Sequence, residues 1–446
     1  MKKIAGILMI ITGLTASAQV SFTVSNGNAI AITPDKTTGL ETVFVIDNSA
    51  GDATISYTAT SASSTVTWEQ WSSQGGAYAT PVSGLSHQGS VWSITAPAAD
   101  TGFTITENGR SRMFWVVNYA NHYLDLQELT VEADNADFCN STTLQFHGNA
   151  SPIRYFTING RPLELSRDLK LRFLTQEYSE ASGDFTTVTK EESIASTGST
   201  LHAPAPLCAT TFTLSGDRFL REWGKEQEVE SRMVNAMAVD GHTSATQADR
   251  DVDNEQKEEA ALGGSAPVDI TFTAAVSEGA LFHQWEFARD PEFGITDLTF
   301  SDLEVSHTFQ DAGTTYVRFV AANADGSCEY VSDTYEVFVG QSALLCPNAF
   351  SPGSTPGVND EWKVSYKSIV SFSCAIFNRW GIKITSFDNP AHGWDGKYKG
   401  KLVPSGVYYY VIQARGADGK EYNLSGDINI INSSSTQTAG GGDSGL

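Results

Sequence analysis

Short segments rich in β-branched and aromatic residues recur along most of the chain, and clusters of Gly, Asn, Asp and Ser separate them. Clear examples are ETVFVID (41–47), TVTWEQW (65–71), SRMFWVVNY (111–119) and DLKLRFLTQEYS (168–179). Each segment has the length of one strand, and turn-forming residues end it before a helix could form. With 40% hydrophobic and 11% aromatic residues, the chain can bury several cores. The pattern predicts an all-β protein of tandem immunoglobulin-like β-sandwich modules.

Acidic side chains outnumber basic ones by 52 to 28, which gives a net charge of −24. This charge excludes a general nucleic-acid binder, because such proteins need a basic surface to replace phosphate counterions. It also argues against simple adsorption to anionic membranes. Residues 1–343 carry 19 basic and 44 acidic side chains, whereas residues 344–432 carry nine basic and seven acidic ones. The sequence thus joins a strongly acidic main part to a mildly basic C-terminal part.

The first 18 residues have the pattern of a secretory signal peptide. Two lysines precede an apolar stretch at 4–14, and the small residues at 16–18 (Ala-Ser-Ala) offer a cleavage site. A retained membrane anchor is the alternative, but the apolar stretch is short for ~30 Å of hydrocarbon. We predict cleavage after Ala18 and an exported protein that has no transmembrane segment in its mature form.

Turn signals divide the rest of the chain into modules. The Asn159-Gly160 pair, between two strand-like segments, favours a two-residue hairpin because both positions tolerate positive φ. The acidic residues 240–264 lack apolar periodicity and predict a mobile insert. The predicted organisation is a signal peptide (1–18), an N-terminal β-sandwich (19–133), a second small β unit (137–206), a sandwich with the acidic insert near 240–264 (207–340), a C-terminal domain (344–432) and a flexible tail (433–446).

Three tryptophans of the N-terminal sandwich are candidates for stacking on a ligand such as a sugar ring: Trp71, Trp92 and Trp115. Because side chains alternate along a strand, Trp68 and Trp71 point to opposite faces of one strand. If one face forms the core, we expect the other tryptophan near the surface. There it either stacks on a ligand or packs under a loop.

Five cysteines, at 139, 208, 328, 346 and 374, occur without any Cys-x-x-Cys spacing, which argues against a zinc or redox site. The export signal permits disulfides, and the odd number leaves at least one cysteine outside an intramolecular pair. Cys374 lies among strand-like apolar residues and is predicted to be a buried thiol. The other four could pair in three ways, of which we favour Cys208–Cys328.

Motifs that carry catalytic chemistry do not occur in the sequence. The spacing of Asp249, Asp251 and Asp253 is that of a calcium loop, but Asn254 and Ala260 stand where such a loop needs Gly and Glu. The eight histidines are scattered, and no nucleophile, phosphate-binding or dinucleotide motif is present. We therefore predict that the protein is not an enzyme and has no catalytic residue, cofactor or metal site.

Residues 264–340 contain an ordered series of strand-like segments with recognisable landmarks. These landmarks are Ala266-Pro267 at the start of a strand, Trp285-Glu286-Phe287, His307-Thr308-Phe309 and GTTYV at 313–317. Together they resemble a PKD-type domain, an immunoglobulin-like sandwich common in bacterial surface proteins. Ala288-Arg289-Asp290 stands where that family usually has Gly-Asp-Gly.

Residues 344–432 contain four ordered blocks: LLCPNAFSPGSTPGVNDEWKV, FSCAIFNRWGIKITSF, GWDGKYKGKLVPSGVYYYVIQA and LSGDINII. They resemble the gliding-motility-associated C-terminal domain, the type B sorting signal of the type IX secretion system in Bacteroidota. GSTPG at 353–357 replaces the family's usual Asn-Gly-Asp-Gly, which argues against a calcium-like role for that loop. The residues that carry the motif are Pro347, Asn348, Phe350, Ser351, Pro352, Asn359, Asp360, Phe377, Asn378, Arg379, Trp380, Gly381, Trp394, Asp395, Gly396, Gly406 and Tyr408.

The resemblance implies that the C-terminal domain is a small sandwich that the outer-membrane export machinery reads. Its partners would be the type IX translocon and an outer-membrane β-barrel protein, and its destination the cell surface or the medium. For the remaining modules we predict a non-catalytic role in adhesion, binding or structure, with a glycan or a host or matrix protein as ligand. A carbohydrate-binding surface protein, a component of the gliding or secretion apparatus, and a secreted hydrolase remain as alternatives.

Overall fold

A computed structural model describes residues 23–24, 28–47, 53–132, 136–195, 198, 200–354, 357 and 359–431. The predicted signal peptide (1–18) and tail (433–446) lie outside these residues. The described chain is mostly β, which confirms the predicted fold class. Its contacts divide it into two units, Met1–Thr175 with Val188–Asn235 and Gln176–Thr187 with Ala236–Leu446. The strands form four β domains, numbered 1 to 4 along the chain.

Domain 1 is a β-sandwich in which two sheets enclose a core. Its strands are β1 (Thr23–Val24), β2 (Asn28–Ile32), β3 (Thr42–Asp47), β4 (Thr54–Thr58), β5 (Val66–Trp71), β6 (Thr80–Pro81), β7 (Ser86–Gln88), β8 (Val91–Thr95), β9 (Thr101–Glu107) and β10 (Arg110–Asn118). One sheet has the order β1-β4-β8-β7, and the other has the order β2-β3-β10-β9-β5-β6. Within the six-stranded sheet, β3 and β10 run parallel to each other.

The central part of the six-stranded sheet is buried on both faces. In β5, Trp68 belongs to the core between the two sheets, whereas Trp71, on the opposite face, belongs to a core shared with domain 2. The expectation that one of these tryptophans lies near the surface is therefore wrong. Continuous apolar runs at 43–46 (VFVI) and 114–117 (FWVV) are typical of strands covered on both sides, and they are the sequence signal for this arrangement.

Glu107, the last residue of β9, is a buried carboxylate with three hydrogen bonds. It accepts them from the Tyr57 hydroxyl, from the Thr60 backbone N–H (2.7 Å) and from Thr60 Oγ1 (2.5 Å). Burial by itself raises the pKa of Glu107, but the hydrogen bonds from Thr60 and Tyr57 outweigh burial and lower the pKa to about 2. Domain 1 thus stabilises the ionised form of this side chain.

The low pKa of Glu107 predicts acid sensitivity. Because the pKa is lower in the folded chain than the ordinary 4.5, the stabilisation is complete above about pH 4.5 and is lost as the pH falls toward 2. We expect Glu107→Gln to lower the free energy of unfolding of the first unit by about 1–3 kcal/mol at neutral pH and to flatten its dependence on pH in that window. Denaturant unfolding at a series of pH values measures both quantities. The exposed Glu69→Gln is the control for lost charge, and an unchanged pH profile for Glu107→Gln would contradict the prediction.

Domain 2 begins earlier and ends later than the predicted small unit at 137–206. Its elements are β11 (Asp125–Val131), β12 (Ser141–Asn149), β13 (Ile153–Phe156), β14 (Pro162–Leu165), β15 (Leu169–Ser179), β16 (Asp184–Ile194), β17 (Thr200–Pro204), β18 (Thr213–Gly216), helix α1 (Arg218–Glu222) and β19 (Gln227–Glu230). The sheets are β11-β12-β17, β13-β14 and β16-β15-β18-β19. The predicted boundaries at 133 and 207 are therefore wrong, because β11 pairs with β12 and β18 with β15.

A buried ion pair joins two segments of domain 2. The Arg167 guanidinium lies 2.6 Å from Asp217 Oδ2, and the two side chains are 1% and 0% exposed. The Tyr119 hydroxyl donates to the same carboxylate (2.9 Å), and Asp217 Oδ1 caps α1 by accepting from the Leu220 backbone N–H (3.0 Å). Arg167 also donates to the carbonyl oxygens of Ser151 (2.6 Å) and His122. Each charge is thus matched inside the protein.

Domain 3 is a sandwich around Phe272, Trp285, Phe287 and Phe319. Its strands are β20 (Gly241–Gln247), β21 (Gly263–Gly264), β22 (Val268–Val276), β23 (Phe282–Ala288), β24 (Leu298–Phe300), β25 (Glu304–Phe309), β26 (Gly313–Ala322), β27 (Glu329–Val331) and β28 (Tyr335–Val339). The sheets are β20-β22-β25 and β21-β28-β26-β23-β24, with β27 on β26. The insert predicted from residue 240 is shorter than expected, because the polar segment 241–247 forms β20 against β22.

Domain 4 is a small sandwich with its own core. Its strands are β29 (Ala343–Leu345), β30 (Ala349–Phe350), β31 (Ser365–Lys367), β32 (Ile369–Phe377), β33 (Lys383–Phe387), β34 (Lys397–Tyr398), β35 (Lys401–Leu402), β36 (Gly406–Gly416) and β37 (Glu421–Ile430). The main sheet has the order β30-β37-β36-β32-β33, beside the pairs β29-β31 and β34-β35. The long strands alternate buried and exposed residues, as a sheet with one core face does.

Residues 252–258, between β20 and β21 of domain 3, lie on domain 4; we call this segment the strap. It forms a parallel bridge from Glu255 to Tyr366 of β31. Val252 packs against the core of domain 4. The expectation that this acidic segment is a mobile loop is therefore wrong for the strap, because contacts with a distant part of the sequence hold it.

Candidate functional site

The four sequence blocks of the C-terminal region converge in domain 4. The first block supplies β30 and the loop that follows it, and the second supplies the β32–β33 hairpin. The third supplies a turn at 394–396 and then β36, and the fourth forms β37. In the main sheet, β36 lies between β37 and β32, so three blocks are direct neighbours.

Three motif aromatics from two blocks are buried side by side. The ring centroid of Trp394 lies 5.5 Å from that of Phe350 and 5.2 Å from that of Tyr408. The backbone N–H and C=O of Trp394 also pair with those of Trp362, at N–O distances of 3.0 and 2.9 Å. The Trp394 indole donates to the Lys397 carbonyl oxygen (3.0 Å). These motif residues therefore stabilise the fold of domain 4.

The turn that follows Trp394 requires a glycine at position 396. Gly396 has a φ of +73°, and a Cβ atom there would lie 2.7 Å from Pro352 Cγ. Asp395 fixes the same turn by accepting from the Lys397 backbone N–H (3.0 Å) and pairing with its ammonium group (2.7 Å). The motif Trp-Asp-Gly therefore encodes a tight turn packed on the first block.

The loop at 351–360 is closed by one carboxylate. Asp360 accepts hydrogen bonds from the backbone N–H groups of Gly353 (3.0 Å) and Gly357 (2.6 Å), one at each oxygen. The Ser351 N–H donates to the Asn359 carbonyl oxygen (3.0 Å). Asn359 has a φ of +54°, in the left-handed region that Asn tolerates. In this chain, the Asn-Asp pair thus closes its loop through backbone amides.

The β32–β33 turn presents an exposed tryptophan. Asn378 Oδ1 accepts from the backbone N–H groups of Trp380 and Ile382, both at 3.0 Å, and Gly381 completes the turn with a φ of +77°. The guanidinium of Arg379 lies 4.2 Å from the Trp380 ring centroid. Trp380 is 70% exposed, so its side chain has no part in the core. The Arg379 guanidinium and the Trp380 ring thus form a cation–π pair on an exposed turn.

The remaining motif residues shape the ends of strands. Pro347 and Asn348 accept hydrogen bonds at their carbonyl oxygens from the Trp362 indole (2.6 Å) and the Asn429 backbone N–H (2.9 Å). Gly406 begins β36 with a φ of +150°. These contacts fix where the first and third blocks enter the sheet.

The outer face of β36 is partly apolar. Val407, Tyr409 and Val411 are exposed, and the half-buried Phe377 of β32 lies opposite Tyr409. The sequence predicts that one face of the tyrosine run is buried and the other exposes a tyrosine, and Tyr408 and Tyr409 occupy these two positions. The turn with Trp380 follows directly after Phe377.

The sequence reasoning missed the residues of domain 3 that hold domain 4. Asn254 of the strap donates through Nδ2 to the carbonyl oxygens of Val364 (2.7 Å) and Pro390 (2.8 Å). These two acceptors lie close in sequence to Trp362 and Trp394. No local pattern signals such a contact, because its partners are more than a hundred residues apart in the chain.

Two of the three tryptophans proposed for ligand stacking are core residues. Trp71 is 2% exposed and Trp115 is 1% exposed, with their ring centroids 5.2 Å apart. The stacking hypothesis is wrong for both, because the part of the sheet that carries them is covered on each face. Trp92 is half-buried, and the His87 ring stacks on it at 4.1 Å.

The disulfide state of the cysteines is not the one favoured from the sequence. Cys328 is disulfide-bonded, as is Cys139, whereas Cys208 is a buried thiol outside any disulfide. The pairing Cys208–Cys328 is therefore wrong, because the sulfur of Cys208, in the segment before β18, is a thiol. Cys374 is a buried thiol, as predicted, and burial raises its pKa to about 12.

Neither a metal-binding cluster nor a membrane-spanning helix occurs among the residues that the structure describes. No group of three or more His, Cys, Asp and Glu side chains in this part of the chain is arranged to hold a metal ion. None of the helices in the same residues is both long and apolar enough to cross a membrane.

Two segments match known protein families. Residues 344–430 match the CHU_C type IX secretion signal domain, and residues 130–231 match a fibronectin type III domain. The first match confirms the predicted sorting domain, and a signal of this kind marks a chain for the cell surface or the medium. The second covers most of domain 2, including β18 and β19, which the sequence predicted to belong to the next module.

Solved structures similar to this chain include the two that follow. A tetra-tandem repeat from the extending region of a large adhesion protein is 13% identical, covers 86% of this chain and 97% of its own, and has a TM-score of 0.21. The fibronectin(III)-like modules of Clostridium thermocellum CbhA are 14% identical, cover 42% and 94%, and have a TM-score of 0.17. At these scores the similarity carries no functional information. No curated protein matches the sequence.

Proposed function

We propose that this protein is an exported multidomain β protein whose domain 4 delivers it through the type IX secretion system after Sec-dependent passage of the inner membrane. Domains 1 to 3 are the passenger, with a non-catalytic role in adhesion, binding or structure at the cell surface or in the medium. The direct partners of domain 4 are the type IX translocon and an outer-membrane β-barrel protein.

The observation that carries this proposal is the convergence of all four motif blocks in one domain. Phe350, Trp394 and Tyr408 form its aromatic centre, and Gly396 permits the turn that packs them. The match of residues 344–430 to a type IX secretion signal domain supports the same function. The turn that presents Arg379 and Trp380 supplies an exposed contact for a partner.

The difference in charge supports separate tasks for passenger and signal. Residues 344–432 carry nine basic and seven acidic side chains, whereas the preceding residues carry a large acidic excess. A strongly acidic passenger repels its own copies and stays soluble outside the cell. The mildly basic domain 4 thus differs in net charge from the passenger, and this difference suits it to a partner other than the one that the passenger binds.

We assign domain 3 to the PKD-like class, which is common in surface proteins. Trp285 and Phe287 of β23 point into its core, and Ala266-Pro267 leads into β22, as the sequence landmarks require. A carbohydrate-binding role for the passenger has one candidate among the three proposed tryptophans, the half-buried Trp92. Its partial cover by His87 makes adhesion or a structural role the better-supported task.

Truncation of the chain tests the assignment of domain 4. We expect a chain without residues 344–446 to accumulate in the periplasm of a host with type IX secretion, because it keeps the Sec signal but lacks the sorting domain. Cell fractionation and surface digestion by a protease measure the distribution. A chain that lacks only 433–446 is the control and should reach the surface or the medium like the full chain. Export of the chain that lacks residues 344–446 would overturn the proposal.

A further inference from the structure

The strap completes an edge of domain 4. β31 pairs with β29 on one side, and on its other side the strap adds two backbone hydrogen bonds. The Gln256 N–H donates to the Tyr366 carbonyl oxygen (2.7 Å), and the Tyr366 N–H donates to the Asn254 carbonyl oxygen (3.1 Å). The edge of β31 is therefore occupied by a strand-like segment from domain 3.

Side chains of the strap fix the region around the Trp362–Trp394 bridge. The Asn254 amide holds Val364 and Pro390 together through their carbonyl oxygens. Val364 lies two residues after Trp362, and Pro390 lies four residues before Trp394. The strap thus ties together the two chain segments of the Trp362–Trp394 bridge, one of which carries Trp394 of the aromatic centre.

Charge complementarity reinforces this contact. Asp253 pairs with Lys363 of domain 4 at 3.2 Å, and Glu258 pairs with Lys367 of β31 at 2.6 Å. Both lysines belong to the region that carries the excess of basic side chains, whereas segment 249–259 contains six acidic and two basic ones. The docked orientation is therefore electrostatically favoured.

Domain 3 presents the strap in this position through Arg250. Its guanidinium forms a two-point ion pair with Glu255 (3.0 and 2.5 Å) and donates to the carbonyl oxygens of Pro267 and Ser265, both at 2.7 Å. The side chain of Glu255 is 7% exposed. The strap is thus anchored to the residues that lead into β22, and we infer that its position depends on a folded domain 3.

We propose that the sorting signal of this chain is bipartite: residues 252–258 of domain 3 belong to it together with residues 344–430. The inference rests on the proposed function of domain 4. The strap holds the sorting domain in the form that the secretion machinery recognises, so export depends on a folded domain 3. Loss of strap docking therefore lowers export even though every residue of the matched signal domain is intact.

A charge reversal in the full chain tests the bipartite signal. We expect Lys367→Glu and Glu258→Lys each to reduce the exported fraction about two- to fivefold, since each replaces an attraction by a repulsion of similar size. The double variant restores the pair in reversed orientation and should recover export. The exported fraction is measured by surface labelling in a host with type IX secretion.

A second variant separates docking from general folding. Asn254→Ala removes two hydrogen bonds of the strap and should raise hydrogen exchange at the Tyr366 amide about tenfold or more, with a fall in export. Asp251→Ala, at an exposed position just outside the strap, is the matched control and should leave both readouts unchanged. Purified full-length chains serve for the exchange measurement.

The outcomes distinguish the two proposals. If the chain without residues 344–446 is retained but the strap variants export like the wild type, the bipartite signal is wrong and the sorting function of domain 4 stands. If export rises when the strap is released, the strap covers the recognised surface and the inference is also overturned. If the chain without residues 344–446 still reaches the surface, the sorting function itself fails.

Discussion

Replacing Asp217 by alanine is expected to lower the free energy of unfolding of the first unit by about 3–5 kcal/mol. The substitution leaves the Arg167 guanidinium buried without its counter-ion, and an uncompensated buried charge has a cost of this size. It also removes the cap of α1 and the acceptor of the Tyr119 hydroxyl. Native-state hydrogen exchange at the Leu171 and Leu214 amides, in the paired strands β15 and β18, reports the stability of this unit.

An exposed ion pair of the same domain provides the control for Asp217→Ala. Arg154 and Glu164 face each other across β13 and β14 at 3.3 Å, with side chains that are more than half exposed. Arg154→Ala should therefore change the free energy of unfolding by no more than about 0.5 kcal/mol. A loss below about 1 kcal/mol for Asp217→Ala would show that solvent or a rearranged neighbour compensates the Arg167 charge, and it would contradict the prediction.

Trp394→Ala is expected to destabilise domain 4 by about 3–5 kcal/mol and to abolish export of the full chain. The indole is 2% exposed and packs on Phe350 and Tyr408, so its removal opens a large cavity in the aromatic centre. A domain weakened by this amount spends much of its time unfolded, because small domains have little stability to lose. Hydrogen exchange in β36 and β37 measures the first effect, and surface labelling in a host with type IX secretion measures the second.

Trp380→Ala is the matched control, since it removes the same side chain from an exposed turn of the same domain. In the Trp380→Ala variant, we expect the free energy of unfolding of domain 4 to stay within about 0.5 kcal/mol of the wild-type value. Equal destabilisation by Trp380→Ala and Trp394→Ala would contradict the assignment of Trp394 to the core and Trp380 to the surface. Stability that is unchanged while export falls would identify Trp380 as a contact of the secretion machinery.

Domain 4 could be predicted from the sequence because its landmarks act locally. Gly396 and Gly381 mark turns, Asn378 and Asp360 close loops through nearby amides, and the tyrosine run alternates between its two faces. Each of these features depends on residues within about ten positions of it. Four ordered blocks built on such features carry the resemblance to the sorting-domain family, and it is this resemblance that indicates the function.

The boundaries of domain 2 and the contact of the strap could not be predicted in the same way. Which strand pairs with β11 or β18 depends on partners that local periodicity does not identify. Lys363 and Asp253 are 110 residues apart, and neither has a neighbour in sequence that signals the other. The burial of Trp115 was readable, because it lies in the continuous apolar run 114–117, which indicates a strand without an exposed face. Trp71 lies in the alternating segment VTWEQW, so its burial depends on contacts with domain 2 that this segment does not signal.

The burial of β10 on both faces changes what keeps that strand aligned with its neighbours. In a sheet with one solvent-exposed face, a slip by one residue turns the apolar side chains of a strand toward water. The free-energy cost of exposing them enforces the correct alignment. A slip of β10 would instead exchange the side chains of one core for those of the other. The Asn108-Gly109 turn, with φ of +48° and +81°, places Arg110 opposite Glu107. Two turn residues and the fit of large rings therefore align β10, whose residues 114–117 are buried on both faces, where the cost of exposing apolar side chains to water cannot.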